Sequence, residues 1–285
     1  MQPFARFLPK APQPGAFLHP RLRNRDIPGA LLLSWFRLRY FPVPFLLALA
    51  LLLPPLTAAA YTEGGSVRHV VDGDSVILTD QRQVRLIGIN APELGKEGKS
   101  DEPLAVAARD RLRKLVEGKS VQLVLEEEQR DHYGRWLAHL ELPDGASVEE
   151  ILLKEGLASA IAIPPNVSQW HRLFEAESVA RATRRGIWGN SYSTPIPAEA
   201  LDAARTGFHF VRGRITHVGH SQKYVYLDMS PQFALRIGQA DWNQYFRGRP
   251  EDWRGKQVEA RGWISEQAGR LHMGIGHPAM LQRLP

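Results

Sequence analysis

Short apolar alternations broken by turn residues run through two stretches of the chain. Residues 67–71 and 75–79 read as strands joined around Asp72-Gly73-Asp74, a turn-forming triplet. Residues 84–89 read as a third strand, nearly continuous in apolar side chains. Over residues 103–117 the spacing becomes helical, with Leu104, Ala108, Leu112 and Leu115 on one stripe and Gly118 as the stop. Residues 121–125 and 137–142 return to strand. A short helix over 148–156 and a longer one over 167–185 follow, the latter ended by Gly186. Five short strands with helices among them predict a mostly β fold with α, a small closed barrel of the OB type with three helices.

Residues 191–206, rich in Ser, Thr, Pro and Ala, read as a linker. Beyond it, residues 208–218, 224–229, 233–237, 257–264 and 270–274 form five more strand-like runs, with a helical stretch over 241–246 between the third and fourth. That order predicts a second small OB-like β-barrel over residues 207–285. No repeat in sequence relates the halves. Ahead of both, residues 1–60 combine a Pro- and Arg-rich region, an apolar run over 41–56 and Ala58-Ala59-Ala60. A basic region, an apolar stretch and an A-x-A end predict a secretory signal peptide, hence a secreted or periplasmic protein. The alternative is a retained membrane anchor, against which Pro42, Pro44, Pro54 and Pro55 leave a short clean helix.

Composition narrows the chemistry. The 285 residues include no cysteine, which excludes disulfides and thiolate metal sites. The net charge of +6 is unevenly placed: residues 1–63 and 207–285 each carry +5, whereas 64–190 carry −3, with 17 Lys and Arg against 20 Asp and Glu. Bulk charge therefore favours nucleic-acid binding only through the C-terminal part.

Candidate reactive groups gather around the first three strands. Asp74 sits in the first hairpin, Arg85 near the start of the third strand, and Asn90-Ala91-Pro92-Glu93 at its end. Alternation along an unbroken strand puts Arg85, Ile87 and Ile89 on one face. The oxygens of Asp74 and Asn90 with a backbone carbonyl suit a hard cation such as calcium. A second arginine, Arg135, lies in the Asp131-His132-Tyr133-Gly134 turn. A cation, a carboxylate to work on water and two guanidiniums to clamp a phosphate form a phosphodiester-hydrolysis set. Each residue alone has a plainer reading: a hairpin turn for Asp-Gly-Asp, a surface ion pair for Arg85, a helix cap for residues 90–93. Their order and spacing together carry the argument.

The motifs Val-Asp-Gly-Asp-Ser (71–75), Val-Arg-Leu-Ile-Gly-Ile-Asn-Ala-Pro-Glu (84–93), Asp-His-Tyr-Gly-Arg (131–135), Leu-Leu-Lys-Glu-Gly-Leu-Ala (152–158) and Gly-Ile-Trp (186–188) resemble the staphylococcal nuclease (thermonuclease) family over residues 64–190. The resemblance implies a five-stranded OB barrel and calcium-dependent endonucleolytic cleavage of DNA and RNA, leaving a 3′-phosphate. It places Arg85, Glu93 and Arg135 at catalytic positions, and Asp74, Asn90 and the carbonyl of Ala91 at metal-ligand positions. Asp72 falls on a neighbouring acidic position behind them. Two departures stand out. Asn90 replaces a second aspartate, which removes one formal charge and implies weaker calcium binding or another divalent ion. Ile161, Ala162, Ile163 and Pro164 replace tyrosines that pack against the nucleotide in some members.

The C-terminal half resembles no nuclease. Its basic residues, Arg212, Arg214, Lys223, Arg236, Arg247, Arg249, Arg254 and Lys256, suit phosphate contacts, and Tyr224, Tyr226, Trp253 and Trp263 suit base stacking. Trp242, Tyr245 and Phe246 have the i, i+3, i+4 spacing of a buried helix face. The whole predicts an exported, monomeric endonuclease acting on DNA or RNA, with an accessory barrel that adds grip. The rivals are a non-catalytic nucleic-acid-binding module and a cell-envelope interaction protein.

Overall fold

The computed structural model describes residues 61–95, 98–202 and 205–285. The N-terminal arm, and with it the expected leader or anchor, lies outside them. Among the described residues no helix is long and apolar enough to cross a membrane.

Strand β1 (Tyr61–Asp72) serves two neighbours, pairing early with β5 (Ser120–Arg130) and later with β2 (Ser75–Leu78). Register shifts between Val67 and His69 and between Val70 and Asp72 bend it, as bulges do at barrel corners. β2 pairs antiparallel with β3 (Gln83–Leu86), and β3 runs parallel to β6 (Trp136–Glu141), which returns to β5. The order β1-β2-β3-β6-β5 closes into a barrel, as the sequence predicts. Val67, Leu78, Leu86, Leu123 and Leu140 fill its interior. Helix α1 (Ala105–Val116) buries Ala108 and Leu112 against this core, and α2 (Val148–Lys154) and α3 (Trp170–Ala182) complete the three helices. Ser147 caps α2, its hydroxyl oxygen accepting from the Glu150 N–H at 3.2 Å.

One element differs from the sequence pattern in a way that builds the site. The expected strand over 84–89 is not continuous. It breaks at Gly88, which takes a φ of +77° where a Cβ would meet Leu173 Cδ1 at 2.2 Å. Ile89 and Asn90 then form β4 (Ile89–Asn90) in a separate small sheet with β7 (Ser159–Ala160). Arg85, Ile87 and Ile89 therefore do not share one strand face. The break turns Asn90 back toward the Asp74 hairpin.

The second half repeats the topology. Its sheet runs from β10 (His217–His220) through β11 (Tyr224–Ser230), β12 (Phe233–Gly238), β14 (Arg270–Gly274) and β13 (Gln257–Gln267) to β9 (Gly207–Arg214). β9 and β10 are two pieces of one expected strand, broken at residues 215–216, so the path returns to where it began. Counting them as one gives the order first-second-third-fifth-fourth, with the third and fifth parallel. α4 (Gln239–Tyr245) lies between the third and fourth. The first barrel has the same order and puts α1 at the same place. Two OB-type barrels follow one another without a sequence repeat.

The stretch expected as a linker is packed. β8 (Ile196–Pro197) pairs parallel with β9, and Ala198 and Leu201 are buried in the second core. Ile161 and Ala162 enter that same core, and Trp170, Phe174 and Trp188 of the first half lie against it. The barrels share an apolar interface. β15 (Leu281–Arg283) covers one edge of β13 beyond this contact.

Candidate active site

The hairpin at residues 72–75 and the strand break at Gly88 place four groups together. The Asp74 carboxylate is buried, and its Oδ2 lies 3.0 Å from Arg85 Nη2. The same oxygen accepts from the Ala91 N–H at 2.9 Å, while Oδ1 accepts from the Ser75 hydroxyl at 3.1 Å. Asp72 turns inward to accept from the Asp74 N–H at 3.1 Å. Ser75 pairs with Arg85 across β2 and β3, which sets the carboxylate beside the guanidinium. Arg85 then folds along the break: Nη1 donates to the carbonyls of Leu86 and Ile89, the latter at 3.0 Å, and Nη2 lies 3.4 Å from Asn90 Oδ1.

Burial is the main influence on the Asp74 carboxyl. Together with the nearby Asp72 and Glu93 charges it pushes the group up to about 7, despite Arg85 and the Ala91 N–H. Asn90 is held from two further sides. Its carbonyl oxygen accepts from the Ser159 hydroxyl at 3.3 Å across the β4–β7 pair, and its Nδ2 donates to the Tyr192 hydroxyl at 3.4 Å. Burial pushes the Tyr192 phenol up, so it stays a neutral hydroxyl.

Glu93 and Arg135 line a cavity of about 630 Å³ together with Asp74, Arg85 and Asn90, while Ala91 lies behind its wall. Glu93 is exposed at its edge, its N–H donating to Glu102 Oε2 at 2.8 Å. Arg135 enters from the turn before β6. Asp131 orients it, accepting from Nε at 2.7 Å and from the backbone N–H at 2.9 Å. Burial raises the Asp131 carboxyl, but its hydrogen bonds and charge contact with Arg135 outweigh this and hold it below the usual carboxylate range. Arg85, Glu93, Arg135, Asp74 and Asn90 thus face one hollow, with Asp72 behind them.

Comparison with known proteins matches the same part of the chain. The family model described as "Staphylococcal nuclease homologue" matches residues 83–190. A thermonuclease of Staphylococcus hyicus is 32% identical over 127 residues, 44% of this chain and 75% of that protein. A thermonuclease of Staphylococcus intermedius is 35% identical over 125 residues, 43% of this chain and 74% of that protein. The chain belongs to the staphylococcal nuclease family. An endonuclease of Bacillus subtilis (strain 168), SPbeta prophage-derived YokF, is 36% identical over 132 residues, 44% of each chain.

Around this staphylococcal-nuclease domain, three contacts carry no mark in the local sequence pattern. Tyr192, from the supposed linker, contacts Asn90; no local pattern marks a tyrosine that acts across 102 positions of chain. The apolar run at 161–164 is an interface: Ile161 and Ala162 are buried, the Ala162 N–H points at Met280 Sδ at 3.2 Å, and Pro164 packs so tightly on Gly276 that a Cβ there would meet Pro164 Cδ at 2.6 Å. Rings at 161 or 162 would collide with the second barrel, whereas Ile163 is exposed toward the cavity. Trp263, from β13 of that barrel, lines the nuclease cavity. In the C-terminal half, Trp242, Phe246 and Trp253 are core residues, Trp242 and Phe246 stacking at 4.8 Å. Arg212 is paired with Glu259 at 2.7 Å.

Proposed function

We propose that the protein is an endonuclease that hydrolyses phosphodiester bonds in nucleic acid with the help of a divalent cation. The observation that carries this reading is the convergence of Arg85, Glu93 and Arg135 on the cavity that also holds the Asp74–Asn90 cluster. In it, the Glu93 carboxylate takes a proton from the attacking water. The guanidiniums of Arg85 and Arg135 bind the phosphate oxygens and meet the charge that grows on them. Asp74 keeps Arg85 pointed inward, and Asp131 does the same for Arg135.

The donor set fits a hard cation. Asp74, Asn90 and the Ala91 carbonyl offer only oxygen, and the charges of Asp72 and Glu93 act on Asp74 from nearby. Among the described residues no three His, Cys, Asp or Glu side chains gather as a metal cluster, so the site would hold its ion through few charges and several waters. That favours calcium or manganese over zinc, bound weakly. The ion would supply positive charge against a phosphate oxygen.

The test is cleavage of plasmid DNA by the purified protein with calcium, with other divalent ions or with chelator. Cleavage that requires an ion and disappears in Glu93→Gln supports the reading. Intact DNA over the whole ion panel sinks it in favour of a binding module. Export, on the basis of the basic and apolar segment ahead of Ala58-Ala59-Ala60, is proposed with it; detection of full-length protein only in the cytoplasm of the native host would remove it.

A further inference from the structure

Beside the active-site cavity a second hollow of about 310 Å³ opens on the C-terminal barrel, and the two adjoin at Ile163 and Trp263. Strand alternation explains what it presents. In β13 the Ile264 side chain is buried and Trp263 is 40% exposed. In β12 Leu235 and Ile237 point into the core and leave Arg236 outside; in β11 Val225 and Leu227 do so and leave Tyr224 outside. Gly274 of β14 has open space where a Cβ would stand. The outer face of the barrel therefore carries two rings, one guanidinium and a bare stretch of backbone along a single shallow track.

Trp263 leans edge-on against Phe208 at 5.0 Å, which steadies the ring. The Arg236 guanidinium lies 4.9 Å from the centre of the Tyr224 ring, and Gln267 takes one of its five N–H donors at 2.8 Å. Of the six large apolar side chains exposed among the described residues, Tyr133, Ile163 and Trp263 line the active-site cavity. Half of the exposed apolar groups at one opening indicates a contact surface rather than scattered residues.

We propose that this track holds the single strand of nucleic acid that continues from the scissile phosphate, with one base stacked on Trp263 and a following phosphate against Arg236. The proposal rests on the nuclease reading of the adjoining cavity. Trp263 supplies a ring at the cavity wall, where residues 161–164 offer none. Bases in a duplex have no free face for such a ring, so the occupant is unpaired. Asp241, the only carboxylate lining the hollow, offsets Arg236 in charge. Stacking rather than charge therefore carries most of the grip, and binding through this track depends on salt by only about one phosphate's worth.

The test is fluorescence anisotropy of the full chain with labelled twelve-nucleotide oligo-dT and oligo-U in chelator, so that binding is read without cleavage. Trp263→Ala is expected to weaken binding about 10-fold, and Trp263→Phe less than that. Arg236→Gln is expected to flatten the salt dependence by about 0.7 in the slope. An unlabelled duplex of equal length is expected to compete poorly. Should Trp263→Ala lower the melting temperature, the Trp263→Phe and Arg236→Gln values decide. Wild-type affinity and salt slope in the variants overturn the track, whether or not DNA is cut. Weakened binding in the variants, with no cleavage by the wild type under any divalent ion, upholds the track and removes the nuclease reading instead.

Discussion

Arg261 Nη1 of the second barrel lies 2.6 Å from Glu177 Oε2 of the first, and both side chains are buried. The same nitrogen donates to the Ala160 carbonyl at 3.1 Å, while Glu177 Oε2 accepts from the Ala160 N–H at 2.6 Å. The guanidinium is roofed by the rings of Phe174, Trp188 and Phe210. Ala160 belongs to β7, whose partner strand carries Asn90. One ion pair thus ties the accessory barrel to the strand that presents a proposed cation ligand.

Removing one partner of this pair leaves the other charge buried. Arg261→Met is expected to cost about 3–5 kcal/mol, measured by chemical denaturation. Adding Glu177→Gln to that variant should recover part of the loss. A single variant as stable as the wild type would show that the pair does not join the halves.

Truncation after residue 190 bares Ile161 and Ala162, which are buried in the core of the second barrel, and removes Arg261, the nearer of the two partners of Glu177. The fragment is expected to aggregate or unfold, rather than merely bind long DNA less well. A monomeric fragment with the cooperative melting of the full chain, in light scattering and circular dichroism, would contradict this.

Arg85 meets Asp74, Asn90 and two carbonyls through a planar fork, which an ammonium cannot reproduce. Arg85→Lys is expected to lower kcat by about 100-fold or more with an unchanged circular dichroism spectrum. Arg135→Lys should fall similarly. Full activity in either variant would remove that guanidinium from the reaction.

Tyr192→Phe deletes the hydroxyl that accepts from Asn90. The expected cost in stability is about 1 kcal/mol. The cation concentration needed for half-maximal activity should rise several-fold, because the amide is then free to rotate its oxygen away. An unchanged cation requirement would make Tyr192 purely structural.

Glu126 links β5 to His139 at 2.8 Å and to the Ser168 N–H at 3.0 Å. Burial raises its carboxyl, but these hydrogen bonds outweigh burial and hold it below the usual range. The folded state therefore favours the ionised form. Its contribution is present above the unfolded carboxyl's pKa of about 4.3 and is lost as pH falls through the lower folded value. Glu126→Gln should cost about 1.5–3 kcal/mol at pH 7, and the gap to wild type should close toward pH 3 in urea titrations. A gap that does not change with pH would contradict this.

The strand and helix order of both barrels follows from the periodicity of apolar positions, because inward and outward alternation is local information. The candidate residues Asp74, Arg85, Asn90, Glu93 and Arg135 were legible for a similar reason: each lies in a short motif at a turn. The third strand was misjudged because an apolar run gives no sign of a glycine taken up in a left-handed turn. The linker was misjudged because small and polar composition does not exclude burial, as Ala198 shows.

Sequence alone pointed to a nuclease barrel, since motif spacing fixes residue types at strand ends. It also predicted the order of strands in the β region that follows. The joining of the two barrels, the hold of Tyr192 on Asn90 and the place of Trp263 at the cavity wall came from packing. These contacts span from 78 to 118 positions of chain wherever a hydrogen bond or ion pair marks them. Such contacts arise only when two apolar faces meet, and no local pattern records which face will find which.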